Sequence, residues 1–121
     1  MPTIPLPHEH GQIMEHTINE IPTNQSFQTI SDIFKLLSDS SRVRIFWLLC
    51  HCEECVINLS AMMEMSSPAV SHHLKALKAG NLITSQRNGK EVYYKAADTQ
   101  QVKLLHHMIE DLMDITCPIQ K

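Results

Sequence analysis

The densest chemistry in the sequence lies in six residues, Cys50-His51-Cys52-Glu53-Glu54-Cys55. Cys-x-Cys-x-x-Cys is a chelating spacing, and soft thiolates select zinc, cadmium, lead or trivalent arsenic over hard ions. Cys50, Cys52 and Cys55 are therefore the candidate ligands, and each must shed its proton to bind. Glu53 and Glu54 disfavour the thiolates until a cation arrives to reverse the balance. His8, His10 and His16 form a second ligand-capable group nearer the N-terminus. The competing expectation is a buried Cys50 beside two surface thiols, with the histidines in a solvated tail. A dithiol switch answering oxidant or reactive sulfur is the other chemistry open to these thiols.

A second set of residues suits nucleic acid. Between Ser66 and Lys95 stand Lys75, Lys78, Arg87, Lys90 and Lys95 against the single acid Glu91. That segment carries a net +4, which leaves −7 for the rest of a chain whose formal charge is −3. A basic face on an acidic body fits a binder of specific DNA whose steering is local. No Gly-rich phosphate loop or Ser/His/Asp arrangement appears, and the Cys-x-x-Cys follows no strand as a redox motif would. The chain is not read as an enzyme.

The elements that would position these groups can be read in order. Ser67 caps a helix, Pro68 suits its first turn, and Val70, Leu74 and Leu77 give it one apolar face. Gly80 is expected as a left-handed C-terminal cap. The polar face presents Ser71, His72 and Lys75. Val56 to Met63 forms a shorter helix before it, with Glu64-Met65-Ser66 as the tight turn between them. Asn88-Gly89 predicts a type I′ hairpin pairing Ile83 with Tyr94, Ser85 with Val92 and Arg87 with Lys90. Arg87 and Lys90 then sit at a cationic tip. Two helices and a hairpin in this order outline a winged helix-turn-helix, whose second helix enters the major groove while the tip reaches phosphates. The expected DNA contacts are Ser67, Pro68, Ser71, His72, Lys75, Arg87 and Lys90. A winged helix that contacts protein rather than DNA, in a metal-binding interaction module, is the weaker alternative, because the cationic wing argues against it.

The remaining chain frames this unit. Residues 1–25, with Pro2, Pro5, Pro7 and Pro22, read as a mobile arm holding at most one weak helical turn, ahead of a domain over 26–121. A helix is expected over Ser26 to Leu37, and another, apolar on nearly all sides and hence central, over Arg42 to His51. The last helix, Thr99 to Ile115, carries a stripe of Val102, Leu105, Met108, Ile109, Leu112 and Met113. That stripe is assigned to a homodimer interface centred on Leu105, Ile109 and Leu112, against the alternative of packing inside one chain. The longest apolar run, Ile45 to Cys50, is too short to span a membrane, and no signal peptide is evident. A cytoplasmic location with reduced thiols is expected. The fold class is mainly α with a β-hairpin wing.

Three segments in this order resemble the ArsR/SmtB family of metal-sensing repressors. They are Leu37-Ser38-Asp39-Ser40-Ser41-Arg42-Val43-Arg44-Ile45, Val70-Ser71-His72-His73-Leu74 and Arg87-Asn88-Gly89-Lys90-Glu91-Val92-Tyr93-Tyr94. The resemblance covers about residues 27–116. It implies a winged-helix homodimer that blocks a promoter by binding double-stranded operator DNA until an inducer arrives. One family metal site lies on the last helix, where the matching positions are Asp98, Gln100, Asp111 and Asp114; both of the family's histidines are missing. A shifted version would draw on His106 and His107, with His107 spaced to meet Glu110 or Asp111. The other family site starts the first helix of the motif, where Cys55 keeps one thiolate position but Ile57 and Asn58 replace the next thiolate and the acid. In some members the N-terminal arm of the other subunit completes that site, and His8, His10 and His16 are the side chains able to do so here.

Overall fold

The computed structural model describes residues 4–117 of the chain. It divides into two compact units between Asp32 and Ile33. In the first, α1 (Glu15–Asn19) is little more than one turn. The helix α2 (Asn24–Leu36) begins there, where Thr23 Oγ1 accepts the Ser26 N–H at 3.1 Å.

The second unit is built around α3 (Ser40–His51). Asp39 starts that helix by accepting the Arg42 backbone N–H at 3.0 Å, and that hydrogen bond holds the Asp39 carboxyl below its ordinary range. Ile45 and Phe46 are fully enclosed and Leu49 nearly so. Leu59, Val70, Leu74, Leu77, Leu82, Ile83, Val102, Leu105 and Ile109 complete one core around them. Burying each such side chain contributes about 1.5–3 kcal/mol, so the central helix anchors the elements packed on it.

Next come a short strand, β1 (Glu54–Cys55), then α4 (Val56–Met63) and α5 (Ser67–Ala79). Between α4 and α5 the chain turns through Glu64, which takes the left-handed conformation at φ 54°. Arg44 donates to the Met62 carbonyl at 3.4 Å, satisfying part of the exposed C-terminal end of α4. Ser66, not Ser67, caps α5 and accepts the Ala69 N–H. The Ser67 hydroxyl instead lies 3.1 Å from that of Ser60, which ties the two helices together. Gly80 ends α5 at φ −85°, and the left-handed residue is Asn81 at φ 64°. Gly80 also makes room for a neighbouring side chain. A Cβ at this position would collide with the Leu36 side chain, so the glycine permits close approach rather than positive φ.

The strands β2 (Ile83–Asn88) and β3 (Glu91–Ala96) form the wing, and β1 pairs with the far edge of β3 to give the order β1-β3-β2. The register differs from the expected one by two residues: Ile83 faces Ala96, Ser85 faces Tyr94, Arg87 faces Val92 and Asn88 faces Glu91. Asn88 therefore belongs to the ladder, and the turn is Gly89-Lys90 with only Gly89 at positive φ, the pattern of a type II′ turn. A two-residue shift keeps every side chain on its face, so Ile83, Val92 and Tyr94 still share one side. Lys90 moves from opposite Arg87 into the turn itself.

The chain closes with α6 (Gln100–Thr116), capped by Thr99, which accepts the Val102 N–H at 3.2 Å. Its broad apolar stripe splits into two. Val102, Leu105 and Ile109 are buried in the core of this one chain, while Leu104, Leu112 and Ile115 are more than half exposed. The expectation that Leu105 and Ile109 centre a dimer interface is corrected on that ground. Among the described residues no helix is long and apolar enough to cross a membrane.

Candidate DNA-binding face and metal cluster

The polar face of α5 is open. Ser71, His72 and Lys75 are exposed, as are Pro68 and Ser67 at the start of the helix. The turn of about 100° per residue along the helix carries the neighbouring His73 inward, where it is buried. Arg42 Nε donates to His73 Nδ1 at 3.3 Å, which leaves the ring's proton on Nε2, facing the Asp39 carboxylate at 3.9 Å. This contact fastens α5 to the start of α3 and so sets the angle at which the open face is presented. Lys78 donates to Ser85 Oγ at 2.6 Å and braces the helix against the wing. Arg87 and Lys90 remain exposed on the hairpin. A convex polar helix beside a cationic hairpin has the shape and charge to follow a groove and its phosphates.

The three thiols are not gathered into one site. Cys50 is half-buried, Cys52 is partly covered with its thiol donating to the Leu48 carbonyl at 3.2 Å, and Cys55 is buried in β1 opposite Tyr93. Burial, reinforced by the Glu110 charge, pushes the Cys50 thiol up to about 11. Burial and Glu54 also push Cys52 upward. Both effects disfavour the thiolate forms. The short strand extends the backbone at Cys55 and fixes it to the sheet. His8 and His10 stack with ring centroids 6.0 Å apart within the first unit.

Just before α6, Asp98 pairs with Lys103 at 3.3 Å, and on α6 His107 meets Asp111 at 3.4 Å, both on the surface. Asp114 is exposed. His106 turns away from this set. Its Nε2 lies 3.0 Å from Glu110 Oε1 and 3.1 Å from His51 Nε2, and His51 Nε2 lies 3.1 Å from the same Glu110 oxygen. Among the described residues this is the one group of three or more His, Cys, Asp or Glu whose ligand atoms all converge within 4.8 Å. Trp47 Nε1 donates to Glu110 Oε1 at 3.3 Å, and its ring packs on His51 with centroids 4.2 Å apart. Partial desolvation pushes Glu110 up, but hydrogen bonds from His51, His106 and Trp47 outweigh it and hold the carboxyl below its ordinary value. His51 does not stand out as a ligand in the sequence, and Glu110 does so only beside His107. The available signal was a pair of i, i+4 spacings, Trp47/His51 and His106/Glu110, on two helices that both carry core faces.

Comparison with known proteins agrees with this geometry. The sequence pattern of the family described as "Bacterial regulatory protein, arsR family" matches residues 39–85, which runs from the cap of α3 into the wing. A protein named transcriptional repressor SmtB homolog, from Synechocystis sp., is 32% identical over 114 residues, spanning 94% of this chain and 86% of that protein. An arsenical resistance operon repressor from Staphylococcus aureus is 34% identical over 88 residues, spanning 73% of this chain and 77% of its own length. Among solved structures, a homodimeric winged helix-turn-helix DNA-binding domain from Mycobacterium bovis superposes with a TM-score of 0.66. It is 24% identical, and the similarity covers 88% of this chain and 91% of that one. The fold is the winged helix-turn-helix, and the chain belongs to the ArsR/SmtB family of transcriptional regulators.

Proposed function

We propose that this chain is a homodimeric, cytoplasmic repressor that binds double-stranded operator DNA through α5 and the wing and lets go when it takes up a metal ion. The observation that carries this is the open polar face of Ser71, His72 and Lys75 beside the exposed Arg87 and Lys90, with His73 and Lys78 turned to bracing that face. Ser67 and Pro68 bring the N-terminal turn of α5 to the DNA, and the side chains one and two turns further on read base edges. A dimer is needed to span two half-sites about 34 Å apart. The exposed row of Leu104, Met108, Leu112 and Ile115 on α6 suits that pairing. Metal release is supported by the arsenical resistance named for one relative.

Inducer and operator must oppose each other by the same factor in both directions, since coupling of binding free energies is reciprocal. The test is a titration of a duplex from the chain's own promoter with purified protein, alone and with zinc, cadmium or arsenite. At least one ion should weaken the complex by about tenfold or more, within the usual range of allosteric coupling. Release by arsenite or cadmium, lost in Cys52→Ser and Cys55→Ser and weakened on removal of residues 1–16, would place the inducer on the thiols with His8 and His10. Tight promoter binding that no ion weakens would contradict metal-dependent release.

A further inference from the structure

We propose that His51, His106 and Glu110 form a metal site of their own, suited to a borderline divalent ion such as zinc, which joins the end of α3 to the middle of α6. It draws His51 from the Cys50–Cys55 stretch but none of its thiols, and it uses none of the family positions, which here are Asp98, Gln100, Asp111 and Asp114. The assignment of the site stands apart from the repressor reading; only the step from occupancy to release of DNA rests on that reading.

The geometry argues for a cation. Two imidazole Nε2 atoms and one carboxylate oxygen make a triangle with edges of 3.0, 3.1 and 3.1 Å. These three edges cannot all be hydrogen bonds together. A carboxylate oxygen only accepts, so each ring must carry its proton on Nε2 to reach Glu110. Both protons then crowd the 3.1 Å edge between the rings. If either ring gives up that proton to accept from the other, its contact with Glu110 becomes a repulsion between lone pairs. A metal ion removes the conflict, because it takes a lone pair from all three atoms. Ligand atoms on a tetrahedral zinc with bonds near 2.0–2.1 Å lie about 3.3 Å apart, close to the spacing already present.

The surroundings fit as well. Two imidazoles and a carboxylate suit zinc and similar ions, and lack the sulfur that trivalent arsenic or lead would favour. Trp47 Nε1 donates to the ligating oxygen of Glu110, the kind of outer support that orients a metal-bound carboxylate. His51 and Glu110 are roughly two-fifths exposed and His106 about a quarter, so an ion can enter and a water can fill the fourth position. His51 is the last residue of α3, directly ahead of the segment leading into the helix-turn-helix. Holding it to α6 would couple the DNA-reading helices to the helix that carries the exposed dimer row.

Trp47 is the only tryptophan in the chain, so its emission reports on this site alone. The full-length protein, stripped with chelator under reducing conditions, would be titrated with zinc while Trp47 fluorescence is followed. A saturable change at one ion per chain is expected. The double variant His51→Gln/His106→Gln should bind zinc at least a hundredfold more weakly, and Glu110→Gln should also weaken it while keeping an acceptor for Trp47. Circular dichroism matching the wild type would show that these variants fold. Cobalt(II) in place of zinc should give tetrahedral d–d absorption without a sulfur-to-cobalt charge-transfer band. Zinc affinity unchanged in the folded double variant would overturn the site, as would a charge-transfer band that disappears in Cys52→Ser or Cys55→Ser. Promoter binding, measured separately on zinc-loaded protein, tests release alone: zinc uptake with DNA affinity untouched would sink the release reading and leave the site standing.

Discussion

Ile109→Asp should cost about 4 kcal/mol or more of folding stability, whereas Leu112→Asp, three residues along the same helix, should cost the fold little and abolish dimerisation. Ile109 is 9% exposed within a single chain and belongs to the core with Phe46 and Leu49. A carboxylate there would have to be desolvated with no partner or the chain would have to open, and losses of that size are confined to such cases. Small domains hold only about 5–15 kcal/mol in total, so Ile109→Asp protein should be largely unfolded at moderate temperature. Leu112 is 53% exposed. Aspartate there meets water in the single chain but faces a second carboxylate and an apolar row in the proposed dimer. Sedimentation should show a folded monomer for Leu112→Asp and a dimer for the wild type at micromolar concentration. A Leu112→Asp protein that sediments as the wild type does would place the dimer contact elsewhere.

The second large effect concerns the DNA face. Replacing Lys75, Arg87 and Lys90 together with alanine should lower affinity for any duplex by a factor of at least about 10³ at low salt, since charge-assisted contacts contribute about 1.5–3 kcal/mol each. Each side chain acts twice in the dimer, so the slope of log affinity against log salt should fall by about five to six. All three side chains are exposed, so the melting temperature should barely move. His72→Ala should behave differently. It should keep the salt slope and lose about 1–3 kcal/mol of preference for operator over random DNA. Equal losses on both duplexes would make His72 a phosphate contact rather than a base reader.

Most of the fold is legible in the residues because local signals and burial agree. The Asp39 cap, the all-round apolar helix after it, and the Pro68 turn each have a mechanism confined to a few neighbours. What failed depended on partners distant in sequence. The strand Glu54–Cys55 has only two residues and becomes a strand because β3 offers its free edge. That same pairing holds β3 from its far side, so Asn88-Gly89 alone could not set the hairpin register. On α6, the stripe was wide enough to supply two faces, and only the packing against α3 decides which row turns inward. Gly80 does cap α5, but without the left-handed backbone, and a Cβ there would meet the Leu36 side chain.

The candidate metal chemistry shows the same division. Three cysteines in six residues draw attention because their spacing is short, yet with the chain extended at Cys52 and paired at Cys55 the three do not converge as one ligand group. His51 and His106 are 55 residues apart and meet only because α3 and α6 share a core. Sequence spacing finds ligands that lie on one element. It is silent on those assembled by tertiary packing.

The central claim is that α5 and the wing bind operator DNA in a sequence-dependent way. It is tested most directly by titrating the wild-type chain against a labelled duplex from its own promoter and a shuffled duplex of equal length, over a range of salt. The promoter duplex should bind at least about a thousandfold more tightly, as specific regulators do, and both affinities should fall linearly with log salt. Equal affinity for the two duplexes, or an affinity that salt does not change, would contradict it.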